Sequence, residues 1–456
     1  VRVPHPTLPL QFLLGGEEGY RLQLEPELVI AADGSFHHTG DYLLFDPFTF
    51  FSDISGFVRV SPGESVTLGR EDPMQRGLLG MPKLVANKHL RVKLSGKGLA
   101  LKNKSLKRGT CVAPLVQTAD VERMKRWRAQ KLERLATILD APIAPLERSA
   151  AFDLLDRTVA LLEREPYRLK TRDDKAGGVL RLPGRPTPLF VGDLHACIDN
   201  LLVVLTQNGF LEAIEDGSAL LIIIGDAVHP DTPGQEDEMG DSLLLMDLIF
   251  RLKLRFPERV FYLRGNHDTF ANDISKGGVP QGLLWETALH DQRGAGYRDR
   301  MQDLYDRLPY VAVSPRFVCC HAGAPTMKAS HSDLIHVHDK PKLQRQLTNQ
   351  RLRTPNSPSG YGDSDIKRLR KRLGVSPDTP FVVGHSPLST EDTLWLDAGG
   401  VPNHHVLFGA NPDRIGVLAM PKGKLLPLTY PTEPLREVYN RLIYSGRMHS
   451  TVTKPS

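Results

Sequence analysis

The hydrophobic and polar positions of the amino-terminal part alternate in short runs. The runs at 56–70 and 89–103 hold β-branched or alternating apolar residues, and Gly, Pro and Asn interrupt them. Short strands with such interruptions are typical of a sandwich of antiparallel sheets. We therefore predict an all-β sandwich domain over residues 1–117.

The spacing changes to a helical period in the next stretch. Two segments between 118 and 168 carry apolar residues at helical spacing among charges, and Pro142 and Pro145 separate them. A polar segment rich in Gly and Pro follows, and we place a domain boundary near 175. This stretch is either an interdomain linker or a helical layer packed on a neighbour, and we assign 118–175 as a helical linker.

Strands and helices alternate through the rest of the chain. Apolar strands are predicted at 187–193, 219–226 and 259–268, with helical patterns between them, and several short strands follow. Such alternation predicts an α/β fold with helices on the faces of a mixed sheet. We predict that this second domain extends over 176–432 and that a carboxyl-terminal tail follows over 433–456, helical at first and mobile at its end.

Composition narrows the classes of function. The net charge of +5 is modest for 456 residues, so nucleic-acid binding is not predicted, although anionic substrates are slightly favoured. The four cysteines include an adjacent pair, which does not indicate a disulfide framework and favours a reducing compartment. Neither a signal peptide nor an apolar run that spans a bilayer is found, so we expect a cytoplasmic protein without a membrane partner.

Polar side chains follow five of the predicted strands, at the point where each strand ends. They form the motifs GDLH (192–195), GDAVH (225–229), RGNHD (264–268), HAG (321–323) and GH (384–385). Sites in open α/β sheets form beyond the carboxyl ends of strands, so we expect these motifs to meet at one edge. Most of these motifs, taken alone, are explained by a turn or a structural histidine. RGNHD is more specific, because this sequence after an apolar strand has little structural purpose, and the whole series has no structural explanation.

The donor atoms of these motifs suit divalent metal ions. Oxygens of Asp and Asn, mixed with imidazole nitrogens, are typical ligands of Mn, Fe and Zn. A set of this size can hold two ions about 3.5–4 Å apart, with a shared carboxylate and a bridging water whose pKa falls toward about 7. We expect two divalent ions, Mn first and Fe, Zn or Mg as alternatives, and a bridging hydroxide that attacks phosphorus.

The five motifs resemble those of the calcineurin-like metallophosphoesterase superfamily, in the branch of the serine/threonine protein phosphatases and the symmetrical dinucleoside-polyphosphate hydrolases. The resemblance covers about 185–425. It implies a β-sandwich of mixed sheets flanked by helices, with Asp226 bridging two ions. The implied ligands of the first ion are Asp193, His195 and His385, and those of the second ion are Asn266 and His321.

The same resemblance gives His267 the role of the general acid that protonates the leaving alkoxide. The second motif departs from the family. His229 stands where an aspartate would orient this imidazole, and Pro230 stands where an arginine would hold the phosphate. If another group orients His267, we expect it to be Asp268 or Asp231; otherwise transition-state stabilisation is weaker.

An arginine elsewhere is the expected replacement for the missing phosphate contact, because its bidentate geometry suits phosphate. The candidates are Arg264 and the arginines of 349–353 and 367–372, although the last stretch is also explained as a solvated helix face. A milder departure is Ala196, which stands where glycine is usual after the first motif. We expect its methyl group to narrow the mouth of the site.

The β-rich segment is similar to a forkhead-associated domain between about 55 and 117. Arg70 matches the phosphate-contacting arginine of that family and His89 its structural histidine. Ala86 and Arg108 stand where a contacting serine and an asparagine are usual. The resemblance implies a phosphothreonine partner, contacted by Arg70 and Arg108. The alternative is a β domain that packs on the enzyme or mediates ordinary protein contacts.

These observations favour a metal-dependent phosphatase that hydrolyses phosphomonoesters, with phosphoserine or phosphothreonine protein as the first expected substrate. A phosphorylated small molecule is also compatible. The alternative enzyme is a nucleotide or dinucleoside-polyphosphate hydrolase, because the HAG and GNHD motifs are closer to that subgroup. A third hypothesis is a non-catalytic phosphopeptide-binding adaptor, against which the intact ligand set argues.

Overall fold

The computed structural model describes residues 2–3, 9–114, 118–355 and 357–452. It confirms the predicted fold class, since mixed sheets flanked by helices follow an all-β region. The predicted boundary at 117 and the last four residues of the predicted tail lie outside these ranges.

Two antiparallel sheets form the amino-terminal sandwich. Its elements are β1 Arg2–Val3, β2 Leu10–Leu14, β3 Tyr20–Ile30, β4 Phe36–Phe45, β5 Phe57–Val60, β6 Ser65–Leu68, α1 Pro73–Leu79, β7 Leu90–Ser95, β8 Gly98–Asn103 and β9 Thr110–Pro114. The strand orders are β1-β8-β7-β6 and β5-β4-β3-β2-β9. Strand β7 alternates buried and exposed residues, as expected of a strand with one face on the core.

The stretch that we assigned as a linker is a packed layer. Helices α2 Thr118–Leu139 and α3 Arg148–Glu163 contribute Leu135 and Leu155, both fully buried, to the largest apolar core. Strand β10, Arg168–Lys170, also lies in that stretch and is the edge strand of a sheet of the next domain. The helical spacing of apolar residues predicts these two helices. It does not reveal that their apolar faces share a core with both the sandwich and the domain that follows.

Two further sheets pack face to face in the second half of the chain. The strands are β11 Ala176–Arg181, β12 Thr187–Val191, β13 Ala219–Ile223, β14 Val260–Tyr262, β15 Val311–Ser314, β16 Phe317–Cys320, β17 Phe381–Val383, β18 Leu394–Trp395, β19 His404–Leu407, β20 Arg414–Ala419 and β21 Leu426–Pro431. The sheet orders are β10-β11-β15-β16-β17-β19-β18 and β14-β13-β12-β20-β21. Phe190 and Phe317 meet between them, with ring centroids 5.0 Å apart.

Helices cover the outer faces of these sheets. They are α4 Ile198–Thr206, α5 Phe210–Asp216, α6 Gly240–Arg255, α7 Gln281–Arg293, α8 Tyr297–Tyr305, α9 His331–Ile335, α10 Pro341–Asn349, α11 Asp363–Leu373 and α12 Leu435–Val452. All five residues of β13 are buried, which reflects cover on both faces of its sheet. Helix α12 packs through Leu435 and Tyr439, both fully buried, so the first turns of this helix contribute to the core.

Within the described ranges, no helix combines the length and the hydropathy that are needed to cross a bilayer.

Candidate metal centre

The carboxyl ends of β12, β13, β14, β16 and β17 bring the five motifs together. Two groups of ligand atoms form there, each with its atoms within 4.8 Å of one another. His195, Asp226 and His267 make the first group, and Asp226, His321 and His385 make the second. Asp226 is common to both groups, as expected of a carboxylate that bridges two ions.

The backbone of the site is left-handed at several residues that are not glycine. His195, Ala196, Asp226, His229 and His385 have φ values of 40°, 67°, 51°, 67° and 66°. Such conformations cost about 1–3 kcal/mol each and persist where the surrounding structure imposes them. The strand ends therefore turn sharply, and the side chains are directed at a common point.

Two glycines allow the carboxylates to approach the neighbouring backbone closely. A Cβ atom on Gly265 would lie 2.0 Å from Oδ1 of Asp226, and one on Gly384 would lie 2.1 Å from Oδ1 of Asp193. Neither position tolerates a side chain unless the carboxylate moves. The glycines of the third and fifth motifs are thus explained by the space that the ligands need.

The second group has the donor chemistry of a cation site. Nδ1 of His321 donates to the carbonyl of Ile224 (2.7 Å), which leaves Nε2 facing Oδ2 of Asp226 at 3.1 Å. Oδ1 of Asn266 lies 2.9 Å from this Nε2 and 2.8 Å from Nδ1 of His385. An amide oxygen among acceptors is unfavourable unless the amide is reversed or a cation lies between them. The residues present therefore fit a divalent ion.

The position of His385 differs from our expectation. We assigned this residue to the first ion, but its ring belongs to the second group, beside Asn266 and His321. Its backbone N–H donates to Oδ2 of Asp193 at 2.7 Å, so only the main chain approaches the first site. The order of motifs along the chain does not specify which way the ring turns.

The first group is built on imidazoles. Nδ1 of His195 donates to the carbonyl of His229 at 2.9 Å, which leaves Nε2 free as a ligand atom. Asp193 is 1% exposed, and its Oδ1 has no hydrogen-bond partner among the described residues. A buried carboxylate oxygen without a donor is costly, and a divalent ion would satisfy it.

His229 contacts the predicted acid directly. The Nδ1 atoms of His229 and His267 lie 2.9 Å apart, within hydrogen-bond distance. The other two candidates for orienting His267 are engaged elsewhere. Asp268 accepts from the Tyr262 hydroxyl at 2.5 Å and from the Gly265 N–H at 2.7 Å, and Asp231 forms an ion pair with Lys276. Asp268 therefore fixes the loop of the third motif instead of His267.

Burial and charge shift the pKa values of the side chains at the centre, some upward and some downward. Burial alone would lower the pKa of His321, but Asp226 and Asp193 outweigh it and raise that pKa to about 10. Burial raises the pKa of Asp193 to about 6. Burial lowers the pKa of His267 to about 4, and it also holds the pKa of His229 well below the usual range.

The arginines named from the sequence lie at the margins. The guanidinium carbon of Arg264 is 5.1 Å from the ring centroid of Tyr305, and the residue lines a cavity of about 250 Å³ beside Asn266. Arg351 is exposed and close enough to His385 to contribute to lowering its pKa. Burial is the larger cause of that shift, which brings the pKa of His385 to about 3.

A cavity of about 530 Å³ opens beside His195 on the other side of the centre. The residues that line it come from distant parts of the chain. They include Ala196, Asp199, Asn200, Glu238, Asp241, Asn411, Thr432 and Arg436. Nothing in the sequence indicated the contribution of Thr432 and Arg436, which follow the last strand.

Residues 187–413 match the family described as calcineurin-like phosphoesterase. The chain contains a calcineurin-like phosphoesterase domain. The family is one of hydrolases, and it implies divalent metal ions at the centre described above.

Curated relatives of the phosphoesterase domain are named as protein phosphatases. A serine/threonine-protein phosphatase PP2A-like PPG1 of Candida albicans is 29% identical over 134 residues, which is 29% of this chain and 28% of that protein. A serine/threonine-protein phosphatase PP1-delta of Caenorhabditis elegans is 25% identical over 139 residues, 30% of this chain and 39% of that protein. The chain thus spans well under half the length of these two relatives.

Solved structures resemble the chain more distantly. A protein serine/threonine phosphatase from Saccharomyces cerevisiae, with similarity to human phosphatase PP5, aligns at 15% identity with a TM-score of 0.45 and covers 62% of this chain and 90% of its own. A putative diadenosine tetraphosphatase aligns at 18% identity with a TM-score of 0.35, covering 57% of this chain and 99% of its own.

Proposed function

We propose that this chain is a dinuclear-metal-dependent phosphatase that hydrolyses phosphomonoesters, with phosphoserine and phosphothreonine proteins as its substrates. The observation that carries the proposal is that Asp226 belongs to two ligand groups at once. Two ions bound there would activate a water molecule and neutralise the charge of the phosphoryl oxygens. The names of the curated relatives point to the same class of substrate.

The chain holds each ligand in place through its main chain. On the second side, the Ile224 carbonyl fixes the tautomer of His321. On the first side, the His229 carbonyl does the same for His195. Hydrogen bonds of this kind keep the free nitrogen directed at the ion and increase its basicity. We assign Asp193 and His195 to the first ion, Asn266, His321 and His385 to the second, and Asp226 to both.

His267 is the proposed proton donor to the leaving alkoxide. With His229 donating from its Nδ1 to Nδ1 of His267, the remaining proton of His267 resides on Nε2. Because the pKa of His267 is about 4, its imidazole is neutral at pH 7. The protonated ring, a minor fraction at pH 7, is the acid: its Nδ1 donates to Nδ1 of His229, its Nε2 gives a proton to the alkoxide, and the ring regains that proton from water after the alcohol has left.

Arg351 is the proposed phosphate contact, in place of the arginine that Pro230 displaces. No ion pair or side-chain hydrogen bond engages its guanidinium within the described ranges. Arg264 is a weaker candidate, because its guanidinium packs on the Tyr305 ring. A free guanidinium close to His385 is suited to bidentate contact with a phosphate.

The cavity beside His195 favours a protein substrate over a dinucleoside polyphosphate. Three carboxylates line it, from Asp199, Glu238 and Asp241, against one guanidinium from Arg436. Arg436 is already paired with Asp241 at 2.5 Å. A polyphosphate chain that extended into this cavity would meet like charge, whereas a serine or threonine leaving group with a polypeptide around it would not.

A direct comparison of substrates tests the proposal. The protein with Mn²⁺ is expected to release phosphate from a phosphothreonine peptide faster than it cleaves diadenosine tetraphosphate at equal concentration. Preferred cleavage of the dinucleotide would replace the phosphoprotein assignment with the dinucleoside-polyphosphate one. Cleavage of neither, with less than one metal ion per chain, would favour a phosphopeptide-binding adaptor.

A phosphothreonine partner of the amino-terminal sandwich is a separate proposal. Nε of Arg70 donates to the Val85 carbonyl at 2.5 Å, and Arg108 donates to carbonyls of the same loop. His89 anchors this loop, accepting from the Ala86 N–H at 3.0 Å. The converging guanidinium groups are a candidate phosphate contact. Titration of a phosphothreonine peptide into the Asp193→Asn protein tests it, and equal binding by an Arg70→Ala variant would contradict it.

A further inference from the structure

The amino-terminal sandwich and the phosphoesterase domain share one apolar core. Phe45, Phe50 and Phe57 of the sandwich belong to the same cluster of buried side chains as Leu201 of α4. Polar contacts cross the same boundary, since Nη2 of Arg59 donates to the Thr429 carbonyl of β21 at 2.6 Å. The two domains are therefore joined along the segment that leads from β21 to α12.

Glu433 is the centre of this joint. It is 1% exposed, and its Oε2 accepts from the N–H of Ile30, the last residue of β3, at 2.6 Å. Its Oε1 accepts from Arg128 of α2, in an ion pair, and from Nε2 of Gln207 at 3.4 Å. A buried charge with this many partners holds the chain in one position. The residue before it, Thr432, is fixed as a result.

A chain of hydrogen bonds leads from Thr432 to the metal centre. Oγ1 of Thr432 donates to Oδ1 of Asn200 at 2.7 Å, and Nδ2 of Asn200 donates to the carbonyls of Gly409 (2.7 Å) and Asn411 (3.0 Å). The N–H of Gly409 donates to the carbonyl of Asp193 at 2.9 Å. The last bond ends on the main chain of a proposed ligand of the first ion.

We propose that Thr432 and Asn200 are positioning residues of the metal centre, which fix the main chain of Asp193 through Gly409. This inference rests on the proposed function, because it treats Asp193 as a metal ligand. It adds two residues that are not among the proposed ligands of the ions. Thr432 and Asn200 lie 232 positions apart, and neither belongs to the five motifs.

The bonding capacity of Asn200 explains why the hydroxyl of Thr432 matters. Asn200 is 1% exposed, and it donates both of its amide hydrogens and accepts one hydrogen bond. Removal of the threonine hydroxyl would leave a buried amide oxygen without a donor, which is unfavourable. The amide is then expected to turn and release the Gly409 carbonyl. The packing there is tight, since a Cβ on Gly409 would lie 3.1 Å from the Asp193 carbonyl.

The test compares two substitutions at position 432 that differ in whether the hydroxyl is kept. Thr432→Val keeps the shape and removes the hydroxyl, and Thr432→Ser keeps the hydroxyl. Thr137→Val is the matched control, because Thr137 is exposed and its hydroxyl bonds only to the Glu133 carbonyl of its own helix at 2.9 Å. The readouts are the Kd for Mn²⁺ by calorimetry, hydrogen–deuterium exchange of the peptide over 407–411, and the melting temperature.

We expect Thr432→Val to raise the Kd for Mn²⁺ by about threefold to tenfold and to speed exchange at 407–411. Thr432→Ser and Thr137→Val should retain the wild-type values. If Thr432→Val binds Mn²⁺ like the wild type while its melting temperature falls, the residue is only structural and the inference is overturned. The same holds if Thr432→Ser is impaired equally. A wild-type protein that binds no Mn²⁺ would instead contradict the proposed function.

Discussion

The two ligand groups that share Asp226 are built differently. The second group has an amide oxygen, two imidazole nitrogens and a carboxylate oxygen, and the pKa of His321 there is raised to about 10. The first group is crowded with imidazoles, and the pKa of His267 there is lowered to about 4. In the absence of metal, a proton on His321 compensates the charge of Asp226, which both groups share, and that of Asp193.

This difference gives the two groups separate roles, one in metal binding and the other in proton transfer. The second group has what a cation needs, namely several donors converging on one point and few alternatives for them. His267 of the first group lies Nδ1 to Nδ1 against His229, which is outside both groups. We infer that the second group mainly determines metal affinity and the first mainly determines catalysis.

The largest effect is expected from a substitution of Asp226, the residue that the two groups share. Asp226→Asn takes away the bridging charge, so both ions should be lost and phosphate release should fall by more than about ten-thousandfold. Metal analysis and phosphate release measure the two losses. Asp237→Asn, an exposed acid of the loop after the second motif, is the control and should behave like the wild type. Retained turnover in Asp226→Asn would refute the proposed mechanism.

A second substitution asks whether His267 is an acid or a ligand. If His267 is the proton donor, His267→Ala is expected to lower kcat by about a hundredfold and to leave the metal content unchanged. The geometry is compatible with both roles, because a ring nitrogen of His267 lies within 4.8 Å of ligand atoms of His195 and Asp226. Loss of one ion in His267→Ala would move this residue from the role of acid to that of ligand.

The pH dependence of metal binding tests the second group. Since the pKa of His321 in the metal-free protein is about 10, its proton must leave when an ion binds. The affinity for Mn²⁺ should therefore fall as the pH falls from 9 to 6, by about tenfold for each unit. Below about 6 the carboxyl of Asp193 also takes up a proton, and the dependence should steepen. Kd values measured across this range check the slope, and a flat profile would contradict the ligand role of His321.

The smallest expected effect is a shift along the pH axis. His229→Asp places a carboxylate next to His267, which should raise the pKa of that imidazole from about 4. The protonated acid would then persist to higher pH, and the basic limb of the rate profile should move up by about one to two units. His229→Asn supplies the control, because it has no charge and should leave the limb in place. An unmoved limb in His229→Asp would count against contact between the two side chains in solution.

The sequence indicated the metal centre better than it indicated the surroundings of that centre. Asp193, Asp226 and Asn266 follow apolar strands directly, and the rule for strand ends predicts that such residues converge. Local patterns carry no information on the ring direction of His385, which depends on a left-handed backbone. They also do not show which neighbour an amphipathic helix such as α2 will cover.

The contacts around Thr432 could not be predicted from the sequence, for a similar reason. Its partner Asn200 lies in a different part of the chain, and both residue types are common on surfaces. The forkhead-like resemblance predicted strands in the right region. It contained no signal that these strands share a core with the phosphoesterase domain.

The left-handed backbone of the centre has a consequence for protein engineering. Ala196 adopts φ 67° while buried, and glycine tolerates that conformation without the penalty of a Cβ atom. Ala196→Gly is therefore expected to raise the free energy of unfolding by about 1 kcal/mol, measurable by thermal melting. The same substitution at His195, Asp226 or His385 would relieve a similar strain but would remove a proposed metal ligand. Selection for heat resistance alone would therefore oppose selection for metal binding at these turns.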